Sequence, residues 1–331
     1  MNINVILTNK KNYLMKKYLI LAAAAITMAS CSNDEGASVA NDGTIRLTTD
    51  VSKAGTRTID QTIQATQIVN GGKVFAEFST SESTSSVDGW TGTPLKATGA
   101  YTADGNGNLS GATVKWPKTY GTSDPVGTET VSVEAWYPFT AKPNLGSATH
   151  AVEADQSTEA NYAASDYLHG ASSSAFTYDK ISSPILVTFQ HMLSKINVKV
   201  TKSDGSSLVG AKVVFGPEDM ILKGTIGSTS AVTAVTTPAA GDKGQVTMAT
   251  LDATGTASCI IIPQTLASTK TLITITDADG SYSYTLAAAK TFAATKAYTY
   301  NVTIAEAGVI ILSEQITDWT YEDAESVIAK Q

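Results

Sequence analysis

Cysteine is nearly absent: the 331 residues hold only Cys31 and Cys259, and Cys31 directly follows a leader-like segment, so no disulfide framework is available. Histidine is limited to His150, His169 and His191. No His-Glu-x-x-His, Gly-x-Ser-x-Gly or cysteine pair accompanies them, so the sequence shows neither a clustered nucleophile and base nor metal-ligand spacing. Charged residues make up 16% and aromatics 7%, and the net charge is −7, which argues against a nucleic-acid partner, because binding a polyanion needs a Lys/Arg surface. Arginine is the scarcest cation: of 23 basic residues only Arg46 and Arg57 are arginines, both early in the chain. No apolar run reaches the roughly 20 residues that a membrane-spanning helix needs.

What is present is alternation. Ile45, Leu47, Thr49 and Val51 alternate with Arg46, Thr48 and Asp50, the two-residue period of a half-buried strand. Further short strands are expected at Lys73–Phe78, Leu95–Tyr101, Ala112–Trp116 and Thr130–Tyr137. A second series begins at Ile185 and includes Lys195–Val200, Lys212–Phe215, Gln245–Met248, Ala257–Ile262, Thr271–Thr276, Ser281–Leu286, Tyr298–Ile304 and Val309–Leu312. Clusters such as Gly105-Asn106-Gly107-Asn108, Asp204-Gly205 and Asp277-Ala278-Asp279-Gly280 supply the turns. No long stretch has helical spacing. The fold class is therefore all-β, as two β-sandwich domains over residues 44–184 and 185–331.

Several residues have plain structural readings. Cys259 sits in an apolar run as a buried thiol, and Asp155 and Asp166 cap turns. His191 is a packed, hydrogen-bonded ring at a domain junction. Asp277-Ala278-Asp279-Gly280 opens like a calcium loop but lacks the later bidentate Glu, so it is taken as a hairpin turn, as is Asp104–Asn108. No catalytic residue, metal or cofactor is expected, and the chain is not taken for an enzyme.

The start of the chain is a secretory leader: Met15, Lys16 and Lys17, an apolar run from Tyr18 to Thr27, then small residues. Residues 1–30 are expected to be the signal peptide, with Met15 as its true start. Met28-Ala29-Ser30-Cys31 resembles the lipobox of bacterial lipoproteins, which makes Cys31 the expected lipidation site. Residues 31–43 then form a polar tether, and the acidic Ser32-Asn33-Asp34-Glu35-Gly36 resembles an export tag to the outer face of an outer membrane.

Phe189-Gln190-His191-Met192-Leu193-Ser194-Lys195-Ile196-Asn197-Val198 resembles a signature of the fimbrillin family, pilin-like lipoproteins of Bacteroides-type bacteria. Four other stretches agree in order: Ala135-Trp136-Tyr137-Pro138; Asp155-Gln156-Ser157 with Tyr162, Ser165, Asp166 and Tyr167; Ile262-Pro263-Gln264; and Tyr298-Thr299-Tyr300-Asn301-Val302 through Gly308-Val309 to Ile316-Thr317-Asp318-Trp319. The resemblance implies two transthyretin-like β-sandwich domains and a surface-exposed, adhesive fimbrial subunit at the outer membrane. It also implies an arginine-specific cut that releases the first strand, and assembly with other fimbrial subunits by strand exchange. Arg57 is the expected cleavage site, with Arg46 as the alternative, and the released strand carries Ile45, Leu47 and Val51. Val309, Ile310, Ile311 and Leu312 are the candidate donor strand, since Thr320–Gln331 is polar with only Val327 and Ile328 as anchors. A second reading is a non-polymerising surface lipoprotein that binds glycans or host ligands on platforms such as Trp90 or Trp116.

Overall fold

Alternating burial marks the strands of this chain. In the computed structural model, residues 43–51, 67–80, 89–118, 129–172, 174–178, 183–305 and 310–319 are described. The leader, Cys31, the tether, Arg57, Val309 and the tail from Thr320 lie outside the described residues. The first half carries β1 (Thr44–Val51), β2 (Lys73–Ser79), β3 (Lys96–Ala103), β4 (Asn108–Lys115), β5 (Thr130–Tyr137), β6 (Thr149–Ala151), β7 (Asp155–Gln156), β8 (Leu168–Ala171), β9 (Phe176–Thr177) and β10 (Ile185–His191). It is followed by β11 (Ser194–Lys202), β12 (Lys212–Phe215), β13 (Lys223–Ile226), β14 (Val232–Ala234), β15 (Val246–Met248), β16 (Thr256–Ile261), β17 (Gln264–Leu266), β18 (Thr271–Thr276), β19 (Ser281–Thr285), β20 (Lys290–Phe292), β21 (Lys296–Ile304) and β22 (Ile310–Asp318).

The chain is all-β, as its alternation implies. The first sheet closes on itself in the order β2-β3-β4-β1-β10-β8-β5, with β5 returning to β2 and β9 extending β5. Closure removes the open edges that a flat sheet would expose. Inside lie Val74, Ala76, Phe78, Val131, Val133 and Ala135, with Ile45, Leu47 and Val51 of β1 and Ile185, Val187 and Phe189 of β10. Strand β10 shows the pattern most plainly: Ile185, Val187, Phe189 and His191 are buried while Leu186, Thr188 and Gln190 are exposed.

The second half stacks a sheet ordered β16-β11-β21-β22 with one ordered β19-β18-β12-β15-β7, flanked by β14-β13-β6 and the pair β17-β20. Two observations depart from the expected division at 184/185. Strand β10 belongs to the first sheet, pairing with β1 and β8, and only Met192 and Leu193 separate it from β11. Conversely, β6 and β7 of the first half pair with β13 and β15 of the second. Phe75 and Trp136 point outward from the closed sheet, their rings 6.3 Å apart, and join the second core rather than the first. The Trp136 indole donates to Ser230 Oγ at 3.1 Å, so one apolar seam with a satisfied polar tip links the halves.

The only α-helix among the described residues, α1 (Glu159–Ser165), begins where the Thr158 side chain accepts from the Asn161 amide at 3.3 Å. Its seven residues are too few to leave a helical period in the sequence.

Candidate functional site: the first strand, its groove and the joint

Strand β1 places Ile45, Leu47, Thr49 and Val51 inside the closed sheet and Arg46 on the exposed side. On one flank it runs parallel to β10, from Leu47 opposite Ile185 to Val51 opposite Phe189. On the other it runs antiparallel to β4, but the register jumps at Arg46: Ile45 lies opposite Val114 and Leu47 opposite Leu109. The ladder on the β4 side is therefore broken in mid-strand. Beyond the break, the Thr49 amide donates to the Gly107 carbonyl at 2.7 Å. Gly107 has φ +93, and a Cβ there would come within 2.6 Å of Gln67 Oε1 and 3.1 Å of Thr49 O, so glycine is needed for this approach. At the other end the Trp116 amide donates to the Gly43 carbonyl at 2.7 Å and the Lys115 ammonium to Thr44 Oγ1 at 2.8 Å.

Burying Ile45, Leu47 and Val51 is worth about 5 kcal/mol or more, at roughly 1.5–3 kcal/mol per side chain. Lifting β1 out would leave a slot walled by Ile185, Val187 and Phe189 with backbone groups on two flanks. Only another strand with alternating apolar side chains satisfies both demands.

Asp166, read from the sequence as a turn cap, and His191, read as a packed ring at a domain junction, meet in the joint. His191 Nδ1 donates to Asp166 Oδ2 at 2.8 Å, and both side chains are almost wholly buried. The Trp319 indole stacks on His191, with centroids 3.8 Å apart and planes 5° from parallel. Burial lowers the pKa of the neighbouring Lys195 ammonium against the opposing pull of Asp166. Three separate motifs, those of Asp166, His191 and Trp319, thus meet at one point. The Gln156 side chain acts as a substitute strand: its amide donates to the Ile260 carbonyl at 2.7 Å and its oxygen accepts from the Ile260 amide at 2.8 Å. In this way it caps the edge strand β16 while its own backbone pairs with β15. Gln264 does the same for Ile221, accepting from its amide at 2.9 Å and donating to its carbonyl at 2.8 Å. His150 Nε2 lies 2.9 Å from the Ser165 carbonyl, and burial lowers the His150 pKa.

Trp90 and Trp116, platforms only in the second reading, are core residues just 1% and 5% exposed. Trp90 donates to the Lys115 carbonyl at 2.8 Å and Trp116 packs edge-on against Tyr178 at 5.6 Å. Neither offers a face to a sugar, as a core role for these rings implies. At the calcium-like turn, the Lys202 ammonium sits 2.7 Å from Asp277 and 2.6 Å from Asp279, occupying the place of a cation. Its hydrogen bond is the main cause of the lowered Asp277 pKa. Asp104 is likewise spent within its turn, on the amides of Asn106 and Asn108. Among the described residues no His/Cys/Asp/Glu cluster could hold a metal ion. The Cys259 thiol is buried, which raises its pKa well above the usual value. Of the candidate donor segment, Ile310, Ile311 and Leu312 open β22, which pairs antiparallel with β21 along its whole length.

On the outer face of the closed sheet, Glu77 accepts from Lys96 at 2.7 Å and Lys142 at 2.9 Å. Burial alone would raise the Glu77 pKa, but the two ammonium groups outweigh it and hold it below the ordinary carboxylate value. A depressed carboxylate contributes stability that is present above its unfolded-state pKa and lost as pH falls through the folded-state value. Glu77→Gln should therefore cost about 0.5–1 kcal/mol at neutral pH, and thermal melts should show that difference shrink as the pH falls below the ordinary carboxylate value and vanish only below the lower folded-state value.

An all-β protein with a closed sheet that holds its first strand between β10 and β4, and a second stack sharing one apolar seam, is the class that these features define. The sequence profile of the fimbrillin-like family matches residues 56–319, and the chain belongs to that family. A search of curated proteins gives no match. Among solved structures, a candidate cell adhesion protein from Bacteroides uniformis is 21% identical, with TM-score 0.54 over 84% of this chain and 100% of that one. A second, from Bacteroides ovatus, is 18% identical, with TM-score 0.56 over 85% and 99%. These two share the fold. A fimbrial protein from Bacteroides vulgatus is 16% identical, with TM-score 0.43 over 83% and 99%. Family membership supports a role as a fimbrial subunit at the cell surface.

Proposed function

We propose that this chain is a fimbrial subunit made as a lipidated precursor, in which β1 is a temporary strand that proteolysis removes and a neighbouring subunit replaces. The precursor is exported and held at the outer membrane by acyl chains on Cys31. An arginine-specific protease cuts after Arg57, and the segment carrying Ile45, Leu47 and Val51 leaves. A strand from another fimbrial subunit then fills the slot beside β10, giving a polymer that adheres to a host or bacterial surface.

The observation that carries this reading is the position of β1, fully inserted in the closed sheet yet ladder-broken on its β4 flank. Its side chains belong to the first core alone, whereas the joint is built by Phe75, Trp136, Asp166, His191 and Trp319. The family match also begins at residue 56, beyond β1. Arg46 suits the cut less well: it lies inside β1, so Leu47 and Val51 would stay with the body. The core placement of Trp90 and Trp116 removes the support for a glycan-binding monomer.

The test is to incubate purified precursor with an arginine-specific protease and run the product, unboiled, on a denaturing gel. A ladder of SDS-resistant species supports the reading; a trimmed species that stays monomeric at high concentration overturns it.

A further inference from the structure

Among the described residues strand β22 has a strand neighbour on one side only, β21, and much of it faces water: Ser313, Glu314 and Asp318 are exposed and Ile316 is 51% exposed. Its ion pairs, Lys290 with Glu314 and Lys296 with Asp318, lie at the surface, where such pairs contribute little. Leu312 is only partly buried against the second core. An edge strand held this way should open easily, since local stability follows buried contact. Its far end is different. Trp319 is 2% exposed, its amide donates to the Thr295 carbonyl at 2.6 Å, and its ring lies flat on His191, which Asp166 holds by the ring-edge Nδ1. His191 ends β10, the strand that also pairs with β1, so one strand holds β1 along its length and the end of β22 at its tip.

We propose that Trp319, His191 and Asp166 form a clasp that keeps the C-terminal strand on its own subunit, an autoinhibitory contact that must open before β22 can serve another subunit. The clasp itself rests on geometry alone; its consequence for assembly rests on the strand-exchange reading above. Ring stacking fixes the strand end with a large apolar area and few rotatable bonds, and the hydrogen bond to a buried carboxylate stops the imidazole from turning out of the stack. Without Trp319 the strand would keep only its ladder, its surface ion pairs and the partial packing of Leu312.

Hydrogen–deuterium exchange on the full chain tests the clasp. In Trp319→Ala, amides of Leu312–Asp318 should exchange roughly tenfold faster or more, while β11 and β16 keep their protection. Trp319→Phe, which retains an aromatic stack, should stay within about threefold of the parent. Adding the cross-strand pair Asn301→Cys and Ser313→Cys, which face each other in register, should restore protection to Trp319→Ala once oxidised. Unchanged exchange in β22 overturns the clasp. So does an equal rise across β11, β16 and β22, since Trp319 would then support the whole fold rather than one strand. After arginine-specific trimming, Trp319→Ala should also polymerise faster than the parent, and an equal or slower rate overturns the autoinhibitory role. If neither protein polymerises, the strand-exchange reading fails and takes the assembly role with it, while the exchange data still decide the clasp.

Discussion

Arg57→Ala yields a precursor that folds like the parent but forms no polymer after protease treatment. The substitution lies outside β1, so it removes none of the buried area of Ile45, Leu47 and Val51 and should leave the melting temperature close to that of the parent. What it removes is the cut. With β1 covalently attached, an incoming strand competes with an intramolecular occupant at an effective concentration of order millimolar or higher, and it loses. Parallel gels and melts on the two proteins check this: the ladder disappears and the melt does not move. A polymer from Arg57→Ala with its mass reduced by a cut at Arg46 would transfer the cleavage site to that residue.

Leu47→Ala should weaken one state of the molecule and leave the other unchanged. In the precursor it leaves a cavity in the first core, at a cost of roughly 2–5 kcal/mol, a large part of the 5–15 kcal/mol by which a domain is usually stable. In the polymer the altered strand is gone, so heat and denaturant resistance should match the parent. Phe189→Ala is the control: Phe189 stays in the slot after trimming, is fully buried and stands opposite Val51. Its loss should weaken precursor and polymer alike, by roughly 3–5 kcal/mol in the precursor. Denaturant titration of both forms of all three proteins separates a departing strand from a permanent wall. If Leu47→Ala weakened the polymer as much as Phe189→Ala, β1 would still be in place.

Local pattern was legible in the sequence, and long-range pairing was not. Ile45, Leu47, Thr49 and Val51 occupy the buried face that their alternation implies, and Thr130–Tyr137, Lys212–Phe215 and Thr271–Thr276 appear with the bounds expected. Period-two burial depends on a strand and its two faces, which neighbouring residues encode. Closure of the first sheet through β2 and β5, and the parallel run of β1 beside β10, join segments far apart in the chain, and no local signal names the partner. That is also why β10 was grouped with the strands that follow it.

The destinations of single residues were obscure for the same reason. Trp90 and Trp116 have the composition of a binding platform and the location of a core. Gln156 and Gln264 look like loop residues until their amides are seen replacing a strand beside Ile260 and Ile221. His191 did have the packed, hydrogen-bonded setting expected of it, but its partners, Asp166 and Trp319, come from distant motifs. Those motifs stand in order along the sequence, and that order was the one sign that they belong together.

The most direct measurement of the central claim is the intact mass of subunits recovered from the polymer, together with the mass of what is released. If β1 is a temporary strand, every polymerised subunit begins at Thr58 and residues 31–57, with their acyl chains, appear in the released fraction. Subunits that carry residues 44–51 inside the polymer would contradict the account, because the slot beside β10 would still hold its own strand.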